Sequence, residues 1–215
     1  MDAYSLIPIQ FAVLLFSLSF HEASHAWMAD RFGDPTARYL GRVTLNPIPH
    51  IDIFGTIVFP LIGMLNPGFV MFGWAKPVPV NTLNMKDRRL GDIMVSIAGP
   101  VSNGILMIVF FTLFRFLFVK PIIDPEVFGS MAPPLAFFLE MGLRLNVVLM
   151  IFNLLPIPPL DGSHVLRHIL SGGAADFYEK IEAYGGILLL LLVFTGVTSM
   201  IIGPVMGLVT FFLYL

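Results

Sequence analysis

His21-Glu22-Ala23-Ser24-His25 sets two imidazoles four residues apart, with a carboxylate immediately after the first. On a helix, residues four apart share a face, so His21 and His25 can hold one metal ion between them. Glu22 lies about a hundred degrees around the axis, near enough to work on a water at the metal without being a ligand. Zinc held this way lowers the pKa of such a water to about 7. Glu22 then has the part of general base, taking the water's proton and returning it to a leaving amine. The alternative reading is a polar patch that merely ends a helix at a membrane surface.

A catalytic zinc ordinarily takes three protein ligands and keeps a fourth position open. The chain has no cysteine, so the third must be His, Asp or Glu. A short echo supplies two candidates: Pro47-Ile48-Pro49-His50-Ile51-Asp52 and Pro156-Ile157-Pro158-Pro159-Leu160-Asp161 share the pattern PIPxxD. Asp161 is the better placed. Three prolines break the helix before it, and irregular backbone beside a span is tolerated where it lines a wet cavity. His164 and His168 repeat the four-residue spacing just beyond. They read as a polar segment at the membrane surface, with a second metal site as the rival.

These side chains need an apolar frame. The chain has 215 residues, 57% hydrophobic and 12% charged, against roughly 25% charged in soluble domains. Its mean hydropathy is +0.87. The lipid bilayer is therefore its main solvent, and the expected fold is an all-α polytopic membrane protein forming one integral-membrane domain over residues 1–215. A net charge of −2 leaves no basic stripe for nucleic acid. Four clear spans run over 5–29, 90–119, 134–155 and 184–202. Ile53–Leu65 and 205–215, the latter behind the breaker Gly203-Pro204, are short and read as re-entrant or interfacial. Asp2, in place of a basic leader, and the lack of a small-residue cleavage site argue that the first span is retained. His21 then sits on the order of 13 Å inside Asp30, and ionisable groups at such depth mark function.

The connector 30–89 holds a small extended, β-like element. Tyr39-Leu40-Gly41-Arg42-Val43-Thr44-Leu45 alternates like a strand. In Gly73-Trp74-Ala75-Lys76-Pro77-Val78-Pro79-Val80-Asn81, alternate prolines enforce extended backbone but forbid a central ladder position. Such an edge can pair with another extended peptide; the plainer reading is a proline-stiffened loop over the helices.

HExxH on an early membrane helix, followed far downstream by NxxPxxxxDG from Asn153 to Gly162, resembles the site-2 protease family of intramembrane zinc metalloproteases. Gly99-Pro100-Val101-Ser102-Asn103 and the segment 73–81 are similar to parts of its compact bacterial members. The resemblance implies that His21, His25 and Asp161 ligate one zinc per chain and that Glu22 is the catalytic base. It implies that Asn153 helps hold the substrate or the oxyanion. Asn103, Trp74, Lys76, Pro77 and Val78 are implied on the substrate side, and the substrates are transmembrane proteins. Many members carry an inserted PDZ or nucleotide-sensing domain, for which this chain has no room.

Coordination constrains topology. His25 and Asp161 must reach one ion, so the end of the first span and the end of 134–155 share a face. Ile53–Leu65 is therefore expected to dip in and return. One face then collects Arg31, Arg38, Arg42, Lys76, Lys86, Arg88, Arg89, Arg167 and Lys180, against Arg115 and Lys120 on the other. The positive-inside rule makes the active-site face cytoplasmic, in the inner or plasma membrane. The rival class is a membrane metal-ion transporter or channel using the same His and Asp residues. A hydrolase with a glutamate third ligand is weaker, since Glu126, Glu140, Glu179 and Glu182 sit in no second motif.

Overall fold

The structure is a computed structural model and describes residues 4–66 and 73–215; Asp2 lies outside them. After a 3-10 turn at Tyr4–Leu6, α1 runs over Ile7–Arg31, with Pro8 in its first turn, where a missing N–H costs nothing. A single turn, α2 (Thr36–Tyr39), follows. Asp52 accepts from the Gly55 N–H and caps a π-helical stretch, Ile53–Val58, which continues as α3 (Phe59–Leu65). Asp87 caps α4 (Arg88–Phe114) through the Leu90 N–H at 2.9 Å, and a π turn extends that helix through Arg115–Val119. α5 (Ala132–Leu154) ends where Leu155 precedes Pro156 and turns extended. α6 (Asp161–Ile169), α7 (Gly173–Glu182), α8 (Gly185–Phe194) and α9 (Val197–Tyr214) complete the described order.

Among the described residues, four helices are long and apolar enough to cross a membrane: Tyr4–Arg31, Arg88–Val119, Pro125–Leu154 and Val197–Tyr214. The first three fall where the sequence puts them. The fourth does not. The expected span 184–202 is broken at Gly196, whose φ of 77° is a left-handed turn, into the short α8 and the long α9. Gly203-Pro204 breaks nothing and lies inside α9. A proline is tolerated in a membrane helix because local adjustment re-satisfies the freed carbonyl.

The core lies between α4 and its neighbours. Leu106, Phe110 and Phe114 of α4 pack on Leu139, Leu143 and Val147 of α5 and Leu213 of α9. A second cluster joins Val13, Leu14 and Leu18 of α1 to Leu145 of α5 and Ala75 of the connector. His25, near the end of α1, bonds the carbonyl of Val95, near the start of α4. The two helices are thus antiparallel, and the connector leaves and re-enters the bundle at one end. The connector as a whole, from the end of α1 to the start of α4, therefore makes no net passage along the bundle.

The expected β element is not there: among the described residues there is no strand. Residues 40–45 are turns and bends, with Gly41 at φ 67°. Residues 73–81 are extended but unladdered. Trp74 and Lys76 donate their N–H groups to the carbonyls of Gly55 and His50, at 3.0 and 2.9 Å, in helical turns rather than in a strand. Pro77 and Pro79 have no N–H to offer.

Candidate metal centre

α1 presents His21 and His25 on one face, both buried, with their Nε2 atoms 3.0 Å apart. Their protonation is legible from the far nitrogens. Nδ1 of His25 lies 2.7 Å from the Val95 carbonyl, which only accepts, so it carries the proton. For His21 the deduction starts at another carbonyl. Asn146 Nδ2 donates to Gly142 O and to Ser17 Oγ, which turns Asn146 Oδ1 towards Asn103 Nδ2 at 2.8 Å. Asn103 Oδ1 therefore faces His21 Nδ1 at 2.6 Å and accepts a hydrogen bond from its N–H. In the neutral imidazoles that a metal requires, Nε2 is then the nitrogen that each ring turns to the ion.

Asp161 opens α6 and brings Oδ2 to 3.2 Å from His21 Nε2 and 3.4 Å from His25 Nε2. That oxygen is buried without a hydrogen-bond partner. With both imidazoles neutral these are three converging acceptors, which repel one another unless a cation sits among them. Ligands at about 2.0–2.1 Å from a tetrahedral zinc stand about 3.3 Å apart, matching the separations measured here. Among the described residues, His21, His25 and Asp161 are the group of metal-capable donors that meets in this way. Gly99 makes the convergence possible: a Cβ there would lie 2.3 Å from His25 Nε2, so only glycine lets α4 pass beneath the pair.

The three donors and Glu22 line a cavity of about 710 Å³. Glu22 is buried and accepts from the Val78 N–H through Oε2 at 3.0 Å. Trp74, Pro77 and Val78 form part of the cavity wall. Lys76 does not; its backbone is held by His50 and Arg42 on the other side. Asn153 lines the cavity but turns its Nδ2 back to the Leu149 carbonyl at 3.0 Å. Asn103 is fully buried behind His21, outside the cavity wall, so it meets that imidazole and not the cavity. Asp52 is occupied as a cap. His50 is buried in the connector, where burial first and Arg42 next hold its pKa below the ordinary value against the Thr44 carbonyl.

The model of peptidase family M50 matches residues 9–193. The chain belongs to that family. M50 is the site-2 protease family of the sequence resemblance, and a metalloprotease carrying four membrane-length helices is an integral membrane protein. This M50 chain is 40% identical over 203 residues to YwhC of Bacillus subtilis, provisionally named a zinc metalloprotease, covering 94% of this chain and 88% of the relative. Rip2 of Mycolicibacterium smegmatis, named in the same provisional way, is 29% identical over 183 residues, 84% of this chain and 64% of its own length. MJ0392 of Methanocaldococcus jannaschii, named a zinc metalloprotease, is 33% identical over 141 residues, 64% of this chain and 38% of the relative. No solved structure matches.

Three parts of the M50 site escaped sequence reasoning. The Val95 carbonyl carries no side-chain signal at all. Asn146 was visible as an amide inside an apolar span, a signal that marks function in membranes. Asp92 binds His168 Nε2 at 2.8 Å and approaches His164 Nδ1 at 3.6 Å, so the second histidine pair clasps α6 to α4. The Asp92 carboxylate chiefly, against burial, raises the pKa of His164.

Proposed function

We propose that this chain is an intramembrane zinc metalloprotease, hydrolysing peptide bonds within or near transmembrane segments of membrane-protein substrates. One zinc is held by His21, His25 and Asp161, and one domain, 1–215, does the whole reaction. The carrying observation is the convergence of two imidazole Nε2 atoms and a carboxylate oxygen without a hydrogen-bond partner beside Glu22, inside a bundle of membrane-length helices. The names of the M50 relatives support zinc as the ion.

Zinc, when bound, supplies a Lewis acid that polarises a carbonyl and brings a water's pKa to about 7. Glu22 takes a proton from the attacking water and later gives it to the leaving amine. The Val78 N–H holds Glu22 by Oε2 and leaves Oε1 for that transfer. Asn153 steadies the developing oxyanion by releasing the Leu149 carbonyl and turning Nδ2 into the cavity. A helical substrate shields its peptide bonds with its own hydrogen bonds, so it must unwind locally; Trp74, Pro77 and Val78 are the wall along which the unwound strand lies. The excess of Arg and Lys at the metal end orients the site towards the cytoplasm.

Metal content of purified wild type, Asp161→Ala and Asp52→Ala tests the site. One zinc per chain, lost with Asp161 and kept without Asp52, is expected; zinc retained by Asp161→Ala would sink the ligand set. Glu22→Gln separates hydrolysis from transport. It should keep zinc while turnover falls by about 10²- to 10⁴-fold, the range for a positioned general base. Altered zinc flux into proteoliposomes instead would favour the transporter.

A further inference from the structure

Far from the metal, α5 carries a charge pair at mid-span. At about 1.5 Å per residue, Arg144 stands about 18 Å from Ala132 and about 15 Å from Leu154. Its Nε and Nη2 both donate to Glu140 Oε1, at 3.0 and 2.8 Å, one turn away. The two side chains stay 46% and 32% exposed, and Arg144 is the one exposed residue between 134 and 153. Ionisable groups facing hydrocarbon are expensive and ordinarily meet a polar partner. Arg144 Nη1 and Glu140 Oε2 make no hydrogen bond among the described residues, so a donor and an acceptor stand open side by side.

The pair's position gives it a direction. One flank of α5, with Met141, Leu145 and Leu149, packs on α1. The other, with Leu143, Val147 and Ile151, packs on α4 and α9. Arg144 lies on the stripe between. Residues four apart continue that stripe as Glu140, Arg144, Val148 and Phe152, and Phe152 lines the catalytic cavity. From Arg144 to Phe152 the row climbs about 12 Å.

We propose that Glu140 and Arg144 are a specificity determinant, recognising a carboxamide in the membrane-spanning segment of the substrate. The inference rests on the proteolytic reading of the metal centre. The pair is net neutral, and one open donor beside one open acceptor matches the two ends of an Asn or Gln side chain. A helical segment leaving the cavity along this row meets the pair about eight residues beyond the cleaved bond. Glu140 and Arg144 touch no reacting atom.

The probe is a single-span Leu/Ala polypeptide with a Gly-Gly cleavage stretch and, eight residues deeper, either Asn or Leu. Wild type should prefer the Asn probe in kcat/KM by about three- to tenfold, the scale of one interhelical hydrogen bond in a bilayer. Glu140→Leu/Arg144→Leu should keep its zinc and lose the preference. An unchanged preference in the zinc-loaded double variant overturns the proposal. A second readout needs no turnover: a photo-crosslinker at position 148, in a Glu22→Gln background, should capture the Asn probe over the Leu probe, and only while the pair is intact. Selective capture without cleavage by wild type would fell the proteolytic reading and leave the recognition standing. Equal capture of both probes, or crosslinks between copies of the enzyme instead, would overturn the recognition itself.

Discussion

A histidine is a metal ligand only while its far nitrogen keeps the proton. For His21 that condition runs through Asn103 to Asn146 and ends on the Gly142 carbonyl, so two amides on two other helices set one tautomer. Replacing Asn103 or Asn146 with Leu should weaken zinc binding by about 10- to 100-fold, as loss of a ligand's outer partner ordinarily does. Asn103→Asp keeps an acceptor for His21 Nδ1 and should lose less. Chelator competition on purified protein reads both; equal affinities in wild type and Asn103→Leu would remove the relay from the site. The spacing of His21, Glu22 and His25 and the prolines before Asp161 singled these four out in the sequence, and the structure brings them to one cavity. Asn103 was legible as important but not in its place, since a position on a helix does not say which neighbour the side chain meets.

The connector is held by a different carboxylate. Asp34 is fully buried and accepts from Thr36, from the Asn81 N–H at 2.6 Å and from Asn84 Nδ2 at 2.9 Å, tying the exit of α1 to the approach of α4. Burial alone would raise its pKa; the bonds from Thr36, Asn81 and Asn84 outweigh that and leave it below the ordinary 3.8. A depressed carboxylate stabilises the fold above its ordinary pKa, and this share is lost as pH falls through the lower folded value. Wild-type melting temperature in detergent should therefore drop below about pH 4. Asp34→Asn should melt lower at neutral pH and show a flatter acid limb. An unchanged acid limb would mean that Asp34 does not hold the connector. At this scale the first three spans were readable from apolar length alone. The fourth was misplaced because hydropathy runs unbroken through Gly196, and only a backbone torsion says that the helix stops there.

Across the whole molecule, α1, α4 and α5 alternate in direction, and the metal end gathers the connector, α6 and most of the cationic side chains. The chain contains no cysteine, so a single engineered thiol reports without background. Asn66, at the end of α3, should label from the same side as Arg31 when replaced by Cys in sealed vesicles. Gly68, a natural second site for the label, lies outside the described residues. Labelling of Asn66→Cys from the side of Lys120 would make Ile53–Leu65 a crossing and dismantle the shared-face arrangement. Arg144 belongs to neither face, which is why a count of charges by loop passes over it.

The sequence by itself determined the solvent, the donor types and their local spacing. A bilayer imposes span length, a helix imposes the four-residue repeat, and a chain without cysteine restricts the ligands. The prolines before Asp161 favoured it over Asp52, but only the tertiary structure shows which copy of PIPxxD meets the α1 histidines: Asp161 does, and Asp52 caps a helix. The tertiary structure alone placed an acceptor at each imidazole Nδ1, turned the expected strand into an extended strap, and set Glu140 and Arg144 on the stripe that leads to the cavity. Each of these depends on contacts between residues far apart in the chain, and no periodicity or composition encodes which distant groups come to share a few ångströms.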